Sequence, residues 1–131
     1  MTKLELNLIY IQLEREINLL SQSTIVTYRS AIKEDAQQVI FELKTDIDGW
    51  ILNLNERKLT CYELEKLLEE KRDAIKLKNI ESKGIDPKKL EVFKNDILRM
   101  IAKSIFNTYL NSLFRNPTPT STKGIKKENL F

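Results

Sequence analysis

TIVTYRSAIKEDAQQVIFELKTDIDGWILNLN, residues 24–55, decides the fold. Ile25, Tyr28, Ile32, Ala36, Val39, Leu43, Ile47, Trp50 and Leu54 recur every three or four positions through it. Eight such steps cover 29 residues, which fits the α-helical repeat of 3.6 better than the 3.5 of a coiled coil. The spacing predicts one long bundle helix of about 45 Å at 1.5 Å per residue. Gly49 lies inside it and weakens it by about 1 kcal/mol relative to alanine, and leaves room for close packing there. Phe41 and Leu52 fall on nearly the opposite side, as second-layer residues or exposed contact points.

The next boundary is written locally. Thr60 precedes Glu63 by three residues, a capping box, and Leu59 and Leu64 take the two hydrophobic-staple positions around it. These residues predict a chain reversal near 56–60 and a helix over 60–83, with an apolar stripe of Leu64, Leu67, Leu68 and Ile75 that extends toward Leu77 and Ile80. Gly84 supplies a left-handed exit with Ile85 folding back on Ile80. Asp86 and Pro87 then form an N-cap and first helical position for a helix over 86–114. Its stripe of Leu90, Phe93, Ile97 and Ile101 widens beyond Ile105 to take in Phe106, Tyr109, Leu110, Leu113 and Phe114. So broad an arc predicts more than one covering neighbour.

The N-terminal segment carries two apolar sides. Leu6, Ile9, Leu13, Ile17 and Leu20 fit one helical face, whereas Leu4, Leu8 and Ile11 fall roughly opposite. Alternation at Leu4, Leu6 and Leu8 also suits a short strand, but the longer pattern favours helix. The second side is covered either by the bundle's own core or by a partner. The predicted fold is all-α: an antiparallel helical bundle of three long helices plus an N-terminal helix, a domain over 1–115. Residues 116–131 form a Pro/Thr-rich basic tail that reads as a flexible leash, with Leu130 and Phe131 as an apolar tip lacking a local partner.

Composition excludes much chemistry. With no histidine, neither Ser-His-Asp triads nor histidine metal sites can be built. Three isolated glycines give no phosphate-cradling loop, and one cysteine, Cys61, gives no disulfide framework or multi-cysteine zinc site. Cys61 sits at the first turn of a helix but has no histidine base, so it is expected to be a packing or surface residue. Asp46-x-Asp48 lacks the remaining ligands of a calcium loop, and Glu63, Glu65, Glu69 and Glu70 read as the cap and surface charges. The chain is expected to be non-enzymatic, without cofactor or metal. No run approaches the roughly 20 apolar residues of a membrane span, and no signal segment is evident, so an intracellular protein is expected.

Net charge is +3 but unevenly placed. Residues 1–56 carry 5 basic and 9 acidic side chains, whereas residues 57–131 carry 17 and 10. That asymmetry suits a polyanion or the association of unlike surfaces, although interleaved acids also make an ordinary solvated helix surface. The candidate polyanion contacts are Lys71, Arg72, Lys76, Lys78, Lys83, Lys88 and Lys89, for non-specific nucleic-acid contact only. The candidate partner contacts are Leu4, Leu8, Ile11, Phe41, Leu52, Leu130 and Phe131.

Leu, Ile, Lys and Asn are abundant, Ala, Val and Gln are scarce, and histidine is absent. With its length and helical text, the chain resembles the small virion and regulatory proteins of crenarchaeal viruses. In particular, it resembles a small helical family of the two-tailed virus of Acidianus. That resemblance implies a viral structural protein, in the virion or the host cytoplasm, whose partners are its own copies or other virion subunits. Its alternative implication is a steric inhibitor of host RNA polymerase. Composition and length carry the likeness, so it assigns no functional residue.

Overall fold

A computed structural model describes the chain over residues 3–115, with side chains over 6–113. Five helices follow one another, and no strand occurs among the described residues: α1 (Lys3–Ser23), α2 (Val26–Asn55), α3 (Cys61–Arg72), α4 (Lys78–Glu81) and α5 (Pro87–Arg115). The chain is all-α, as the periodicity predicts. The N-terminal segment is helix because Ile9, Leu13 and Ile17, four residues apart, are all buried in the common core. Burying each contributes roughly 1.5–3 kcal/mol, and helical geometry brings residues four apart onto one face while Ile11 between them points to solvent.

Helix α1 packs on α2 and α5; α2 also meets α4 and α5, and α3 packs on α5. Gln37 Nε2 donates to Glu14 Oε1 at 3.4 Å and the Tyr10 hydroxyl donates to Asp48, so α1 folds back along α2. Burial, then the hydrogen bond and charge of Asp48, push the Tyr10 hydroxyl above its ordinary pKa. Lys103 reaches Glu16 at 2.9 Å and ties α1 to α5. Ile47, Ile51, Leu64, Leu77, Ile97 and Ile101 are fully buried and belong to this one core.

Helix α2 starts at Val26, two residues later than its stripe suggests, and Ile25 at its N-cap is exposed rather than core. Thr24 explains the shift. It is buried, and its hydroxyl donates to the Leu20 carbonyl at 2.8 Å, so it serves the end of α1. Arg29 reaches back to the carbonyls of Thr24 and Gln22 and satisfies acceptors that α1 leaves open. At the far end, the N–H groups of Arg57 and Lys58 bond the carbonyls of Leu54 and Asn53, a Schellman closure. Arg57 takes φ +62° there, a conformation that favours glycine. The room that Gly49 leaves for close packing is not used: a Cβ there would meet nothing within 4 Å.

The capping box at Thr60 is formed in both directions, at 3.1 Å to Glu63 N and 2.9 Å from Thr60 N to Glu63 Oε1. Leu64 is buried and Leu59 packs on the core. The helix expected over 60–83 is, however, two helices. α3 stops at Arg72, and α4 begins only at Lys78. Ile75 and Leu77 are both buried. Two residues apart, they would diverge on a helix, but they can point one way from non-helical chain. The restart is held from outside: Asp35 of α2, 3% exposed, accepts from Ile80 N at 2.8 Å, Asn79 N at 3.1 Å and Asn79 Nδ2 at 3.0 Å. Gly84 then takes φ +73°, and Asp86 Oδ1 caps Lys88 N at 3.0 Å, as the local text predicts.

Candidate interaction surface

Among the described residues, no three His, Cys, Asp or Glu side chains gather as metal ligands, and no helix is long and apolar enough to cross a membrane. Cys61 is exposed. The features that stand out are large apolar side chains left in solvent by a body whose core is already filled; Ile11, Leu19, Tyr62 and Leu110 stand on open surface, and two further places are grooves.

The first is the end of the bundle where the α1–α2 turn meets the start of α5. The turn is stapled by Thr24 and Arg29, which leaves Ile25 60% and Val26 75% exposed. Helix α5, started by Asp86 and Pro87, brings Val92 and Phe93 opposite. Leu20, Ile25, Tyr28, Val92 and Phe93 line an apolar groove of about 300 Å³, with Lys89 and Asp96 at its edge. Sequence reading placed Ile25 in the core and missed Val26 and Val92. Val26, adjacent to Ile25 but off the stripe's phase, was the available signal.

The second is the outer side of α2 beside the start of α4. Phe41 stands 73% exposed at the rim of an open groove of about 670 Å³. Glu34, Gln38 and Glu42 of α2 line one wall, and Lys76, Lys78 and Asn79 line the other. The Asp35 cap on α4 sets this geometry, because it holds the 76–79 segment against α2. Asp35 was not singled out from sequence. A carboxylate between Ile32 and Val39, at the margin of the buried stripe, was its one visible mark.

The remaining partner candidates divide. Ile11 is 60% exposed on the outer side of α1, with Leu19 also exposed two turns on, whereas Leu8 and Leu52 are half-buried. The Leu4 side chain, Leu130 and Phe131 lie outside the described residues, as does the whole of 116–131. Among the basic candidates, Lys71 pairs with Asp46 of α2 at 3.2 Å, while Arg72 donates to Asn95 of α5 at 3.3 Å. These two neighbours therefore face opposite helices. Lys76 and Lys78 belong to the Phe41 groove, Lys89 edges the end groove, and Lys83 and Lys88 are exposed around the turn into α5.

Compared with known proteins, the chain matches no family model, no curated protein and no solved structure.

Proposed function

We propose that this chain is a non-enzymatic structural or assembly protein that works as a rigid block with defined contact points. One observation carries the reading: Phe41 on α2, and Ile25 and Val26 at the α1–α2 turn, stand in solvent while a continuous core is complete beneath them. Isolated exposed apolar residues are common, but several arranged on grooves mark contact sites. The body behind them is an antiparallel bundle of α2, α3–α4 and α5, with α1 as its fourth member. Such a block transmits force and position rather than moving. A virion is the setting implied by the likeness to the helical proteins of the Acidianus virus.

Mass spectrometry of what co-purifies with the protein from its native source tests this. Other structural subunits, or further copies of the chain, are the expected partners. Recovery with an RNA polymerase, together with inhibition of transcription at saturating protein, would replace this reading with the steric-inhibitor one. The exposed Lys83, Lys88 and Lys89 would then be the first residues to test.

A further inference from the structure

The groove beside Phe41 carries charges of both signs on opposite walls. Around α2, at 3.6 residues per turn, Phe41, Glu34, Gln38, Glu42 and Asp35 follow one another in that order. Phe41 therefore lies just outside the acids, with Gln37 beyond it, bonded to Glu14 of α1. Asp35, at the other margin, grips the start of α4, where Lys76 and Lys78 rise. Among the described residues, no ion pair joins Glu34 or Glu42 to Lys76 or Lys78. The two walls stand apart across open space instead of closing on each other.

We propose that this surface pairs two copies of the chain about a two-fold axis that runs along the groove, between the acidic and basic walls and in the plane where the copies meet. Rotation by the two-fold brings the Glu34–Glu42 wall of one copy over the Lys76–Lys78 wall of the other, twice. Phe41, one step outside the acids, then lands on the aliphatic stems and ammonium groups of the partner's lysine wall, an arrangement that attracts both as apolar contact and as cation–π contact. The pattern itself selects the occupant. A polyanion meets Glu34 and Glu42, a polycation meets Lys76 and Lys78, and only a surface with the same two signs in mirrored order satisfies both. The uneven charge along the chain, acidic through α2 and basic after it, takes on a role in this pairing. The inference rests on the assembly reading and adds its first interface.

Sedimentation equilibrium of the full chain tests it, with three variants whose helical content is checked by circular dichroism. The wild type is expected to dimerise, more weakly as salt rises. Phe41→Ser is expected to raise the dimer Kd at least tenfold. The double variants Glu34→Lys/Glu42→Lys and Lys76→Glu/Lys78→Glu should each be monomeric alone and form a heterodimer on mixing. A wild-type monomer at chain concentrations near about 1 mM, where even a Kd of about 100 µM populates the dimer, overturns the proposal. A dimer that survives both charge reversals and Phe41→Ser also overturns it, while leaving the assembly reading intact. Loss of that wider reading would show instead as no structural partner in the native material.

Discussion

Two helix starts in this protein solve the same problem by different means. At the start of α3, Thr60 and Glu63 satisfy each other's orphan donors from within four residues. At the start of α4, the donors of Asn79 and Ile80 are satisfied by Asp35, 44 and 45 residues earlier in the chain. The first start is independent of its surroundings. The second exists only if α2 is already in place, so the 73–77 break and α4 are products of assembly rather than of local preference. The contrast also separates their exposure: the Thr60 cap is at the surface, whereas Asp35 is buried.

The largest effect expected from this contrast is at Asp35. Asp35→Ala leaves two backbone donors facing a lost acceptor inside the protein, and hydrogen bonds to a charged group contribute about 1.5–3 kcal/mol each. A loss of about 3 kcal/mol in urea unfolding is expected, with Asp35→Asn recovering part of it. A loss under about 1 kcal/mol would mean that α4 is held by Leu77 and Ile80 alone. Thr60→Ala should cost less, about 1 kcal/mol, because water replaces an exposed cap. Its hydrogen-exchange signature should stay within the first turn of α3, whereas that of Asp35→Ala should spread over 75–85. A Thr60 effect as large and as wide as that of Asp35 would break the comparison.

Smaller effects in the opposite direction sharpen the local side of it. Arg57 holds φ +62° at the end of α2, and Arg57→Gly should gain roughly 0.5–1 kcal/mol, the left-handed penalty less the added freedom of the unfolded chain. A decrease in melting temperature would show that the Arg57 side chain does something the backbone does not reveal. Gly49→Ala should gain about 0.5–1 kcal/mol, since the added methyl group meets open space and α2 loses its weakest helical residue. Destabilisation at that position would mean that another chain approaches α2 there.

The candidate sites follow the same division. Phe41 was legible as an outlier because helix phase alone puts it opposite Ile32, Val39 and Leu43. Ile25 was not, because its phase matches the core stripe and only the Thr24 closure of α1 takes it out of the helix. The acid and lysine walls of the Phe41 groove lie more than thirty residues apart in the chain. Neither periodicity nor charge counting could place them face to face.

By itself, the sequence determined the all-helical class, the capping box at Thr60, the glycine exit at 84 and the Asp86-Pro87 start. Each is settled within one or two turns, where side-chain spacing and backbone preference act without help. Only the tertiary structure decided that 60–83 divides, that Asp35 starts α4, and that Ile25, Val26 and Phe41 remain in solvent. Those outcomes depend on which buried groups must find partners once distant helices meet, and burial is a property of the assembled molecule.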